Sequence, residues 1–152
     1  MIPEMLLIAI LTAAAAIPTE TAQRLSVSLR VLDTQLRQDR SLTFEVRLCN
    51  KGAQLLELTL PSAQIHDIVV TQQRREVWRW SRGKMFAAVL TPLSLAPGCC
   101  TDYRVYWKTS DGVLRDSEGG IIKPGSYEAA AVLKARPEIW STAVSLKILP
   151  AE

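Results

Sequence analysis

The sequence predicts an all-β fold, an immunoglobulin-like antiparallel β-sandwich of about seven to nine strands. Three observations predict it. Apolar and polar residues alternate with period two in run after run. Clusters of Gly, Pro, Asn and Asp separate those runs. No long apolar pattern of helical period follows the N-terminal stretch.

The runs, taken in order, each read as a strand with one buried and one wet face. Leu25, Val27, Leu29 and Val31 alternate with Ser26, Ser28 and Arg30. After a polar segment over 33–40, Leu42, Phe44, Val46 and Leu48 alternate with Thr43, Glu45 and Arg47. Asn50-Lys51-Gly52 is a turn signal, and Leu56, Leu58 and Leu60 then alternate with Glu57 and Thr59 up to Pro61. Two short strands over 65–71 and 76–81 flank a polar turn at 72–75, and Arg82-Gly83-Lys84 makes a tight break. Ala96-Pro97-Gly98 turns the chain into a strand over 100–107, where Tyr103, Val105 and Trp107 share a face. Residues 109–126 hold three Gly-containing turn signals and read as a long loop with at most one short strand. Strands over 127–135 and 141–149 close the chain. The alanine-rich part of the first is read as buried strand, because Pro-Gly-Ser-Tyr precedes it and Arg-Pro follows.

Composition bounds the rest. The chain has 152 residues, 48% hydrophobic and 22% charged, which is globular and long enough for one self-sufficient core. The net charge of +3 says nothing of fold. No Lys or Arg precedes Arg24, and residues 5–17 (MLLIAILTAAAAI) are almost wholly apolar. That run is too short for a stable membrane span, which needs about 20 residues, and it suits a secretory h-region with Ala14 and Ala16 as a cleavage pattern. Its n-region carries Glu4 and no basic side chain. Residues 1–22 are therefore expected to be a signal peptide or hydrophobic leader, and 23–152 the β-sandwich domain. Secretion or a periplasmic location follows, and a cytoplasmic one if the leader is not a signal. In an oxidising compartment Cys49 can pair with Cys99 or Cys100, leaving one over. The simpler and preferred reading makes Cys49 a small buried apolar residue.

Three stretches carry a resemblance. Residues 60–70 read LPSAQIHDIVV, residues 76–86 read EVWRWSRGKMF, and Leu95-Ala96-Pro97-Gly98 precedes Lys123-Pro124-Gly125-Ser126-Tyr127. Their order and spacing resemble the BsuPI family, named for an intracellular proteinase inhibitor, over about residues 40–135. The Trp78-x-Trp80-Ser81 element, with Gly83 and Phe86 after it, is the specific part. Ala63, His66 and Ile68 depart from the family pattern of Gly, an aromatic residue and Phe. The resemblance implies an immunoglobulin-like fold and proteinase inhibition, and an exported member would meet a different proteinase.

Trp78 and Trp80 lie two apart on one expected strand and so share a face. Such rings usually fill a core, and the alternative is an aromatic hot spot for a protein partner. The following turn is the better surface candidate. A stiff loop offering Arg82 or Lys84, then Met85 or Phe86, suits a proteinase cleft, because a rigid loop loses little entropy on docking. The candidate protein-binding residues are thus Trp78, Trp80, Ser81, Arg82, Lys84, Met85 and Phe86.

Arg74, Arg75, Arg79, Arg82 and Lys84, interleaved with the tryptophans, also suggest single-stranded nucleic acid, but a solvated strand face explains them equally well, and no nucleic-acid partner is expected. His66 is the sole histidine; Asp67 beside it on a strand points the other way and cannot orient its ring. His66 is expected to be hydrogen-bonded within the sandwich. Cys49, Cys99, Cys100 and His66 lack the paired Cys-x-x-Cys spacing of zinc sites. No catalysis, metal or cofactor is expected. The chain is therefore expected to be a non-enzymatic, protein-binding domain, and the family resemblance implies that its activity is inhibition of a proteinase. The alternative is a non-catalytic structural or adhesion module of the cell envelope.

Overall fold

The computed structural model describes residues 24–152, so the expected leader over 1–22 lies outside the described residues. Eleven strands form, in chain order: β1 Leu25–Val31, β2 Leu36–Arg37, β3 Leu42–Asn50, β4 Leu56–Leu60, β5 His66–Gln72, β6 Arg75–Arg79, β7 Thr91–Leu95, β8 Cys100–Trp107, β9 Gly125–Leu133, β10 Ile139–Trp140 and β11 Val144–Leu149. β2 and β10 have two residues each, so the nine longer strands match the upper end of the expected number.

The strands form two layers. One sheet has the order β1-β3-β8 and the other β2-β11-β9-β5-β6, with β10 also on β9, while β4 and β7 pair as a separate ribbon. All pairings are antiparallel except β11 with β2, which is parallel and departs from the expected pattern. β3 shows why these residues make a sandwich. Leu42, Phe44, Val46 and Leu48 go inward at period two and are essentially sealed from solvent. Ile68, Val70, Ala129, Ala131, Leu146 and Ile148 meet them from the other sheet, and Leu56, Leu58, Leu60, Leu93 and Leu95 of the ribbon close the same core. Each fully buried Leu, Ile or Phe there contributes roughly 1.5–3 kcal/mol relative to exposure. The outward residues of β3 pair across the wet face, Glu45 with Arg30 and Arg47 with Asp102, both at 2.8 Å. Exposed pairs of this kind add little.

Near the start of β9, the Tyr127 hydroxyl donates to the Lys123 carbonyl at 2.6 Å. This ties a strand back to its own upstream loop, as the tyrosine corner of immunoglobulin-like sandwiches does. Cys49 and Cys100 face each other in the β3–β8 register and are joined as a disulfide, which replaces the reading of Cys49 as a lone buried thiol. Alternation of side chains explains the choice, because Cys49 and Cys100 both lie outside the core row and directly opposite one another. Cys99 is free and exposed.

Candidate functional site

The site is built where β6 ends. β5 and β6 are joined by a turn at Gln73 and Arg74, which adopt φ of 50° and 65°, and pair antiparallel from Gln72–Arg75 to Val69–Arg79 with a register shift between Val70 and Thr71. β6 stops at Arg79, two residues short of the strand expected over 76–81. The reason is Asp67. This side chain is 1% exposed, and its Oδ1 accepts from the backbone N–H groups of Ser81 (3.1 Å) and Ile68 (2.9 Å). Its Oδ2 accepts from the Ser81 hydroxyl and from Arg79 Nη1 at 3.2 Å. A buried carboxylate that accepts from both the backbone and the side chain of Ser81 pulls the chain off the ladder and fixes the turn.

The turn is then closed by Arg82 N–H to Arg79 O at 3.1 Å and Lys84 N–H to Ser81 O at 3.0 Å. Gly83 takes φ of 81°, a left-handed conformation that favours glycine. A second carboxylate braces the outer side: Glu76 receives Arg79 and Arg82, each at 2.8 Å. The hydrogen bond from Arg79, helped by that from Arg82, holds the Glu76 carboxyl below its usual range despite partial burial.

The two tryptophans go to different tasks. Trp78, on β6, stacks on Trp107 at 4.7 Å and 15° and lies 6.2 Å from Phe44, so it lids the core. Trp80, one residue past β6, packs against His66 at 4.8 Å and Phe86 at 5.8 Å, and the Lys84 ammonium sits 5.0 Å over its ring. His66 is held between Trp80 and Tyr103, 5.0 Å away. Its Nδ1 is buried with no hydrogen-bond partner, which corrects the expected hydrogen-bonded histidine. Burial lowers its pKa from 6.5, with the Asp67 charge opposing. Aromatic packing, which the family pattern meets with an aromatic side chain, is what this position supplies.

Of the expected site residues, Trp80, Lys84 and Phe86 form one cluster, Ser81 and Arg82 are spent on Asp67 and Glu76, and Met85 stands clear at 99% exposure. Beyond Met85 the chain runs over 87–90 outside any strand, with Val89 and Leu90 more than half exposed and the Ala87 carbonyl tied to Ala63 N–H at 3.0 Å. Contiguous exposed apolar residues are a mark of an interaction site. Sequence reasoning stopped at Phe86 and missed residues 87–90, although their apolar run was open to view.

A cleft of about 530 Å³ lies beside this turn, between β6 and β8. Arg79, Arg82, Lys84, Arg104, Lys108 and Arg115 line it, against one carboxylate, Asp116. Arg104 and Lys108 were not singled out in the sequence. Their alternation with Val105 and Trp107 marks a wet face, but nothing local shows that β8 is an edge. Among the described residues, no group of three or more His, Cys, Asp and Glu side chains is placed to hold a metal ion, and no helix is long and apolar enough to cross a membrane.

Solved structures similar to this chain are distant. A β-glucosidase from Erythrobacter marinus shows 11% identity and a TM-score of 0.47, covering 82% of this chain and 15% of its own. The CARDB domain of the PF1109 protein from Pyrococcus furiosus shows 14% identity and 0.44, covering 82% and 87%. An alkylpurine DNA glycosylase from Pseudomonas fluorescens shows 9% and 0.49, covering 83% and 30%. This chain thus spans about a seventh of the glucosidase and under a third of the glycosylase. A search of curated proteins gave no match. The family described as "BsuPI: Intracellular proteinase inhibitor" matches residues 29–138, which take in every strand from β2 to β9 together with the Trp78–Phe86 element, and the chain belongs to that family.

Proposed function

We propose that this domain inhibits a proteinase by presenting residues 81–90 to the enzyme's cleft. The observation that carries the reading is the contrast along that segment: a turn bolted to Asp67 and Glu76, followed at once by the exposed apolar Met85, Val89 and Leu90. A clamped base limits the entropy lost on docking, and the apolar run supplies the area to bury. Lys84, which makes no ion pair among the described residues, suits an acidic specificity pocket and Met85 an apolar one, while Arg82, paired with Glu76 at 2.8 Å, braces the turn. Trp78 and Trp80 support the loop from beneath.

The domain acts outside the cytoplasm in this reading. The apolar stretch over 5–17, the expected 1–22 leader and the Cys49–Cys100 bond support it, since structural disulfides persist in oxidising compartments. The proteinase is then one met after export. Titration against a panel of bacterial serine, cysteine and metallo-proteinases tests the proposal. One-to-one inhibition is expected, with loss of it when Arg82, Lys84, Met85 and Phe86 are replaced together by Ala. Inhibition that survives that variant would clear the loop of the role. An envelope module would leave every proteinase fully active and fractionate with membrane or wall material. N-terminal sequencing of the exported protein, expected to begin near residue 23, tests the leader.

A further inference from the structure

The cleft beside the loop runs along an open sheet edge. β8 is bonded to β3 on one side, and among the described residues its backbone has no hydrogen-bond partner on the other. Five consecutive residues, 104–108, line the cleft. Consecutive side chains of a strand face opposite ways, so a groove bordered by all of them lies along the strand's edge rather than on a face. The edge of β6 opposite is already covered: the Ser117 N–H donates to the Val77 carbonyl at 2.9 Å, and Arg79 N–H donates to the Ser117 hydroxyl at 2.9 Å. Only the β8 side is free to accept a strand.

The cations of this cleft divide into two kinds. Arg79 and Arg82 are paired with Asp67 and Glu76, and Arg115 lies 3.8 Å from Asp111. Lys84, Arg104 and Lys108 make no ion pair among the described residues. Glu45, opposite Arg104 in the sheet register, is taken by Arg30 at 2.8 Å. The Asp116 carboxylate is turned to the N–H groups of Glu118 and Gly120. The three free cations come from two separate elements and converge on one groove.

Edge charges alone also guard a sheet against aggregation. A concavity of about 530 Å³ beside the edge is not needed for that. Nucleic acid would need a bare aromatic face to stack on. Trp78 is faced by Trp107 and Phe44, and Trp80 by His66, Phe86 and Lys84, which leaves Tyr106, 46% exposed, as a single open ring in the cleft where successive bases need several. A second copy pairing through β8 would bring one cationic rim against another. We infer that the β8 edge, with Lys84, Arg104 and Lys108, binds an extended acidic segment of a partner protein by adding it as a further strand. Main-chain bonds to β8 would give the affinity and the free cations the preference for Asp or Glu. This surface meets the inhibitory loop at Lys84, lies apart from the 85–90 run, and extends the contact area of an inhibitor beyond its loop.

The test needs no proteinase, so its failure is separable from failure of the inhibitory reading. A fluorescent octapeptide alternating Glu and Val, matched to the eight residues of β8, is titrated against the full protein alongside its Lys–Val counterpart and an oligothymidylate of equal length. The acidic peptide is expected to bind, more weakly as salt rises, and to slow hydrogen exchange of β8 amides. Arg104→Glu with Lys108→Glu, both exposed positions, is expected to weaken it by about tenfold or more and to favour the Lys–Val peptide. Arg104→Ala with Lys108→Ala is the milder variant, and unchanged circular dichroism shows that both fold. Binding indifferent to these changes, tighter binding of oligothymidylate, no peptide binding, or self-association that protects β8 would overturn the inference.

Discussion

Replacing Asp67 by Ala tests how the exposed loop is held. The side chain is 1% exposed and accepts from Ser81 N–H at 3.1 Å, the Ser81 hydroxyl and Arg79 at 3.2 Å. Removing one partner of a buried charge pair costs about 3–5 kcal/mol. The lower end applies here, because Arg79 keeps Glu76 at 2.8 Å and its side chain is already 28% exposed, so its charge is not stranded. A loss of about 3 kcal/mol, with a urea slope of about 1–3 kcal/mol per molar, lowers the unfolding midpoint by about 1–3 M. Tryptophan fluorescence reads that directly, since Trp78 and Trp80 sit on the affected strand and turn. Limited trypsinolysis reads the turn itself, at Arg82 and Lys84. Ser81→Ala alone is expected to cost about 1 kcal/mol, and the pair of changes to be less than additive. A midpoint moved by less than about 0.5 M, with trypsin cleavage unaltered, would refute the claim that Asp67 anchors the loop.

His66→Phe is expected to stabilise the fold by about 1–2 kcal/mol, because it removes an unpartnered buried Nδ1 from a slot between two aromatic rings. It is also expected to flatten the pH profile. Burial depresses the folded pKa below 6.5, so the unfolded chain takes up the proton first; stability is full above about pH 6.5 and falls as pH drops toward the folded value. Glu76 and Asp102, held low by their arginines, lose their contribution only at more acid pH, so thermal melts from about pH 7 to pH 5 isolate the histidine. Cys49→Ser with Cys100→Ser removes a bridge spanning 51 residues and is expected to cost about 3–4 kcal/mol in denaturant titration, while circular dichroism keeps its β spectrum. A helical spectrum in that experiment would contradict the fold itself.

Much of the sandwich was legible because its strands obey simple alternation. β1, β3, β4 and β8 begin and end within a residue or two of where the inward Leu, Val and Phe rows do. β7 escaped because Pro92 sits inside it and Pro argues against a strand; it is tolerated in a short ribbon paired on one side with β4. The β2 and β10 pairings involve two residues each and are set by tertiary packing rather than local pattern. Long-range partners were the general blind spot. That Asp67 would reach Ser81 and that β8 would stand at an open edge depend on sheet order, which no local run of residues encodes. The Trp78-x-Trp80-Ser81 element could be seen, yet its two rings part company because the strand ends between them.

Hydrogen exchange on a purified complex with an inhibited proteinase tests the central claim most directly. Amides of residues 81–90 are expected to gain strong protection on binding, while β1, whose edge lies on the far side of its sheet from β8, keeps the exchange of the free protein. Protection confined to other surfaces, with 81–90 exchanging as in the free protein, would contradict it.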